Sequence, residues 1–214
     1  MLFLPISIFG FISLILLLPF LFFLGFFNIL HFGFEKLGLS PLLANLFLVA
    51  ILFGSLFNIP LTRLRRKYVE RSYFWGMFKR PEIELSGISI NVGGAIIPIL
   101  LSVYLLFKVP LKITAIITLL MIVITNSLAR PTSKGIVLPA FIPPLFSALL
   151  SLIFVPHFAA PVSFISGVLG TLIGADILNL PKISQREGIL SIGGAGVFDG
   201  IFLVGITSVI LTGL

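Results

Sequence analysis

"GFISLILLLPFLFFLGFFNIL", residues 10–30, runs for 21 residues without a charged side chain. At 1.5 Å of rise per residue such a run, wound as a helix, covers the roughly 30 Å hydrocarbon core of a bilayer. The whole chain follows suit: 58% of its 214 residues are hydrophobic, 10% are charged, and the mean hydropathy is +1.25. That composition excludes a water-soluble globular domain. No Lys or Arg occurs before residue 31, so the first apolar stretch lacks the basic flank of a secretory signal and reads as a retained span.

Applying the same length rule along the chain gives spans near 5–30, 41–61, 88–107, 110–128, 137–155, 159–180 and 189–214. The predicted fold is therefore all-α: a polytopic transmembrane helix bundle of about seven spans, forming one integral membrane domain over residues 1–214. Six spans plus a re-entrant segment is the alternative. Pro139, Pro143 and Pro144 mark the fifth span as irregular, because proline removes a helical N–H and clashes with the preceding turn. Carbonyls freed there must be buried in protein or face a cavity. This made the three prolines, with Asn91, candidates for a substrate region.

Orientation follows from the 14 Lys and Arg residues. The loop at about 62–87 carries Arg63, Arg65, Arg66, Lys67, Arg71, Lys79 and Arg80. Placing it in the cytoplasm puts eleven cations inside, with Arg130, Lys134, Lys182 and Arg186, against Lys36, Lys108 and Lys112 outside. The N-terminus is then cytoplasmic and the C-terminus external. Within the loop, Leu61, Leu64, Tyr68, Trp75 and Phe78 recur at near-heptad spacing, which suits either an amphipathic helix on anionic headgroups or a topology determinant with interfacial aromatics. "EIELSGISI" (82–90) alternates with period two and predicts a short surface β-hairpin near 82–92. "SINVGGA" (89–95) is echoed by "SIGGAG" (191–196), a similarity read as coincidence in a glycine-rich chain. The bilayer is the expected partner; a nucleic-acid role would need a soluble basic domain with base-reading elements, which the sequence does not contain.

The seven acids are distributed unevenly. Five glutamates fall in loops or at span ends, whereas Asp176 and Asp199, the whole aspartate complement, fall inside the last two spans. An acid at mid-helix costs about 2.5–3.5 kcal/mol of insertion free energy, and such residues are functional by default. Asp176 precedes Pro181 by five residues, about 7 Å of helix, and so lies toward the cytoplasmic end. Gly193, Gly194 and Gly196 suggest an extended approach to the seventh span, with Asp199 in the first turn of its helix, where the dipole favours a carboxylate. Asn179 joins Asp176 on one helical face, while Gly167, Gly170, Thr171 and Gly174 form a packing face opposite. Antiparallel neighbours joined by a cytoplasmic turn would bring the two carboxyls to similar depth, where they can share a proton and divide acid and base work.

Aspartates on consecutive spans, the second in "GVFDGIF" (196–202), resemble the GxGD intramembrane aspartyl proteases, the presenilin and signal-peptide-peptidase group. Position 198 is Phe where that motif has Gly, Ala175 stands where the family has Tyr, and the nearest counterpart of its Pro-Ala-Leu segment is "LPAF" (138–141), ahead of both acids. "GADILNLPKI" (174–183) with "SIGGAGVFDGIFLVGI" (191–206) resembles a prokaryotic multi-pass membrane family, the domain of unknown function sixteen-fourteen. The protease resemblance implies Asp176 and Asp199 as the catalytic pair, with Asn179 and the glycines Gly193, Gly194, Gly196 and Gly200 in support and a transmembrane peptide as substrate. No cofactor is implied. His31 and His157 are far apart in the sequence, so no metal site is expected. A proton- or cation-coupled carrier using the same acids and a non-catalytic scaffold are the other two readings.

Overall fold

The computed structural model describes residues 3–63, 65–73, 77–132, 135–183, 189–194 and 196–213. Leu64, Trp75, Lys134 and Arg186 of the expectations above lie outside them. The protein is mostly helical, with α1 (Phe3–Lys36), α2 (Pro41–Gly54), α3 (Val92–Leu106), α4 (Leu111–Leu128), α5 (Ile142–Phe154), α6 (Pro156–Ile183) and α7 (Gly200–Thr212). Three segments are long and apolar enough to cross a membrane: Ile15–Lys36, Leu111–Leu128 and Pro156–Ile183. Helices α2, α3, α5 and α7 are apolar but only 10–17 residues long.

The short helices differ from the expected spans because strands take their ends. β1 (Asn58–Pro60) follows α2, β3 (Phe78–Asn91) leads into α3, and β6 (Ile189–Ile192) precedes α7. The all-α expectation is thereby corrected: β1, β3 and β2 (Arg65–Tyr73) form a sheet with β6 pairing β3, and β4 (Arg130–Thr132) pairs β5 (Gly135–Val137). Residues 65–73 of the basic loop are a strand rather than an amphipathic helix. They run antiparallel to β3 with Lys67 opposite Glu84 and Tyr68 opposite Ile83. The predicted hairpin near 82–92 is thus longer than expected, reaching back to Arg65.

The two stretches that share "SI" and "GGA" lie side by side. β3 and β6 are parallel, with Ser89 beside Ser191 and Ile90 beside Ile192. A glycine pair follows each strand, Gly93 and Gly94 in the first turn of α3 and Gly193 and Gly194 ahead of α7. Gly94 packs so tightly on the second motif that a Cβ there would run into the Gly193 carbonyl.

Helix α6 is the axis of the bundle: 72% of its apolar window is buried, against 22% for α4 and 6% for α1. Small residues make that possible by letting backbones approach. A Cβ at Gly167 would meet Gly205 of α7 at 3.3 Å, one at Gly170 would meet Met121 of α4 at 2.5 Å, and one at Gly174 would overlap the Ile122 carbonyl and the Thr125 hydroxyl. Thr125 Oγ1 donates to the Gly170 carbonyl at 2.7 Å, and Ser147 Oγ of α5 donates to the Ser163 carbonyl at 2.8 Å, tying both neighbours to α6. Phe164 of α6 and Phe202 of α7 are fully buried in the same apolar core as Phe34 of α1.

The prolines of the fifth span do not bend it. Pro143 and Pro144 are buried in the first turn of α5, where the N–H groups have no helical partner to lose. Pro139 lies ahead of the helix, in the segment after β5.

Candidate two-aspartate site

Asp176 stands where α6 stops winding regularly. A π-turn spans Leu172–Asp176 and a 3-10 turn spans Ile177–Asn179 before the final turn Leu180–Ile183. Pro181 offers no N–H to the turn before it. Asn179 ties down the turn from its side chain: its fully buried Nδ2 lies 2.9 Å from the Ala175 carbonyl, 3.2 Å from the Gly174 carbonyl and 3.2 Å from Asn126 Oδ1 of α4. Its Oδ1 accepts from Lys182 Nζ at 2.8 Å. Asn179 therefore faces α4 and fastens the irregular turn, rather than sharing an open polar face with Asp176, because the π and 3-10 turns change the 3.6-residue winding on which that face was drawn.

Asp199 is positioned by glycines. Gly193 (φ +71°) and Gly196 (φ +61°) take left-handed conformations that a Cβ disfavours. They are joined by a Gly196 N–H to Gly193 carbonyl bond of 2.9 Å, and a 3-10 turn over Gly196–Phe198 follows. Asp199 then caps α7: its backbone is extended (φ −73°, ψ 147°) and Oδ1 accepts the Ile201 N–H at 3.0 Å. The helix begins at Gly200, so the acid sits one residue before the first turn, not inside it.

Both acids line one cavity of about 330 Å³ at the end of the bundle where the strands gather. Its wall combines Asp176 and Leu180 from α6, Asp199, Ser191 through Gly194 and residues Ile189 and Leu190 of β6, with Gly135 and Ile136 of β5. Asp176 is half-buried, and the cavity is at the small end of the volumes that take a ligand.

The remaining candidates fall in different places. Asn91 is fully buried and caps the start of α3, accepting the Gly94 N–H at 2.8 Å and donating to the Ser55 carbonyl at 2.9 Å. Gly193 and Gly194 are in the cavity wall; Gly196 packs on Ser55, and Gly200 has open space around it. Among the described residues the wall does not include Pro139, Pro143, Pro144 or Asn91. Ser191 and Asn58 were missed by sequence reasoning. Ser191 Oγ donates to Asn58 Oδ1 at 2.6 Å, and Asn91 Nδ2 donates to the same oxygen at 3.2 Å, so Asn58 links the two Ser-Ile motifs. Pairing the two echoes would have singled out Ser191.

Phe198, at the position where a GxGD motif carries glycine, is exposed and stacks on Phe26 of α1 with centroids 5.7 Å apart. The GxGD motif itself is not present at Gly196–Asp199. No curated protein and no solved structure matches the chain. Residues 52–211, which hold both aspartates and both Ser-Ile motifs, match the family described as "Protein of unknown function (DUF1614)", and the chain belongs to that family.

Proposed function

We propose that the protein is a membrane-embedded hydrolase in which Asp176 and Asp199 act as a two-carboxyl pair on a peptide bond of a membrane-associated segment. The observation that carries this reading is that the chain's only two aspartates, brought from separate helices, line a single cavity. Asp199 accepts the Ile201 N–H, the bond an ionised carboxylate makes at a helix N-terminus, and is assigned the role of base. It takes a proton from water as the water oxygen attacks the carbonyl carbon, while Asp176 in its acid form gives a proton to the carbonyl oxygen. The resulting diol collapses to a carboxylic acid as one of its hydroxyls returns a proton to Asp176, the C–N bond breaks and the amine leaves with the proton from Asp199. β6 also favours a peptide substrate: it contributes to the cavity wall and, among the described strands, pairs only with β3, so its other edge is suited to an added extended segment. The eleven-to-three distribution of cations supports a cytoplasmic position for this cavity, with the N-terminus inside and the C-terminus outside.

The test is cleavage of labelled transmembrane peptides by the purified protein. Asp176→Asn and Asp199→Asn are each expected to lower the rate by about 10²–10⁴-fold, the usual contribution of a positioned acid or base. Equal cleavage by wild type and either variant removes the pair from consideration. An ion-coupled carrier is the second reading, favoured by the broken winding at Asp176 and the glycine turn ahead of Asp199, since carriers bind ions at interrupted helices. Cation or proton flux into proteoliposomes that both variants abolish, without peptide cleavage, would select it.

A further inference from the structure

Half of the chain's 14 Lys and Arg residues lie between positions 63 and 84, against three of its seven acids. Most of them sit on the ribbon formed by β2 and β3, whose register runs from Arg65 opposite Ser86 to Tyr73 opposite Phe78. At about 3.3 Å per residue this arm is roughly 26 Å long. β1 and β6 pair only with positions 87–91, so among the described residues the arm has no third strand. A two-stranded ribbon alone in water is marginal at best and gains from a surface to lie on.

Two features of the register say what that surface is. Arg71 stands directly opposite Arg80, with Lys79 next to it opposite Ser72. Three cations thus occupy facing or neighbouring register positions at the outer end, an arrangement that like charges favour only where anions meet it from outside the ribbon. Just beyond it come Tyr73, Phe78 and Met77, and Met77 is 74% exposed. An apolar residue beside a basic cluster, held at the far end of an arm, suits the headgroup zone of a bilayer, where cations meet phosphates and apolar side chains enter the interface. The root of the arm joins an apolar helix directly: β3 ends at Asn91, which caps α3.

We propose that the β2–β3 ribbon lies flat on the bilayer at the strand-bearing end of the bundle and binds anionic phospholipid headgroups, with Arg71, Lys79 and Arg80 as the principal contacts. Standing upright, the outer cluster would be some 26 Å from the root, about three Debye lengths at physiological salt, and would feel little of the surface charge. Lying flat, every cation of the ribbon is within one Debye length. Each cation so placed raises the docked-to-undocked ratio about fivefold, and three raise it roughly a hundredfold.

Trp75, the only tryptophan in the chain, reports on the arm without a label. The full-length protein is reconstituted in vesicles of phosphatidylcholine, or of equal parts phosphatidylcholine and phosphatidylglycerol, each with and without brominated acyl chains. Bromolipid quenching of Trp75 is expected in the phosphatidylglycerol mixture and should fall to the phosphatidylcholine value in an Arg71→Gln, Lys79→Gln, Arg80→Gln variant. Salt at 1 M, which shortens the Debye length to about 3 Å, should release the wild-type arm in the same way and needs no variant to fold. Equal quenching in the two lipids, or full access of aqueous iodide to Trp75 in the phosphatidylglycerol vesicles, overturns the proposal. Protection that follows protein density rather than lipid charge also overturns it, in favour of a second copy of the chain covering the arm.

Discussion

Replacing Gly94 by alanine tests whether the two Ser-Ile motifs hold each other in place. Gly94 is not among the left-handed glycines, so alanine is acceptable to its backbone and the substitution isolates packing. The added Cβ would overlap the Gly193 carbonyl oxygen and lie 2.8 Å from the Gly196 oxygen and 3.0 Å from the Gly193 carbonyl carbon. All three obstacles are backbone, so no rotamer change relieves them. Overpacking costs about 1–3 kcal/mol, and the upper end applies here. Alanine recovers about 1 kcal/mol over glycine in helical winding. The net loss is about 2 kcal/mol, roughly a thirtyfold fall in the folding constant. Reversible unfolding in mixed micelles measures it, with Gly25→Ala as the matched control: a Cβ there meets nothing within 4 Å, and α1 should gain up to about 1 kcal/mol. Because Gly193 lines the cavity, Gly94→Ala should also distort the site at temperatures where the protein remains folded. If Gly94→Ala is as stable as the Gly25 variant, the parallel contact between the motifs is not what the packing indicates.

Two further outcomes separate structure from chemistry and fix orientation. Asp199→Asn should leave the melting temperature unchanged, since asparagine caps a helix as well as aspartate does, whereas Asp199→Ala should cost about 1 kcal/mol; an Asn variant as unstable as the Ala variant would contradict the capping bond to Ile201. The absence of cysteine from the chain allows single labels: Met77→Cys is expected to react with an impermeant maleimide from the cytoplasmic side alone, and Phe107→Cys, in the exposed turn after α3, from the outside alone. Labelling of both from one side would reject the orientation.

Helices α1, α4 and α6 are legible in the sequence because their apolar runs are long and nothing else in the chain competes for them. The ends of α2, α3 and α7 are not, because Ile59, Ile88, Ile90 and Ile189–Ile192 extend the apolar signal while belonging to strands. Hydropathy measures the solvent a residue prefers and says nothing about where its N–H finds an acceptor. For Ser89 the neighbouring strand is residue Ser191, out of range of any local window. The near-heptad spacing in the basic loop misled for the same reason: the partner that made 65–73 a strand was the period-two segment just beyond it.

The aspartates stood out through rarity and cost, but their relationship required the pairing that the echo of "SI" and "GGA" encodes. β3 fixes β6 beside it, Asn58 bonds both Asn91 and Ser191, and Gly94 closes on the carbonyl of Gly193. That contact sets the left-handed turn from which the chain runs to Asp199 at the mouth of α7. On the other wall, Asn179 fastens the irregular turn that ends at Asp176 through the carbonyls of Gly174 and Ala175. Each acid is thus held by a feature that a regular helix would not need. A scaffold whose acids served only to bridge helices would have no use for two separate departures from helical winding converging on one cavity, and this convergence is what favours a reaction or a bound ion there over a purely structural pair.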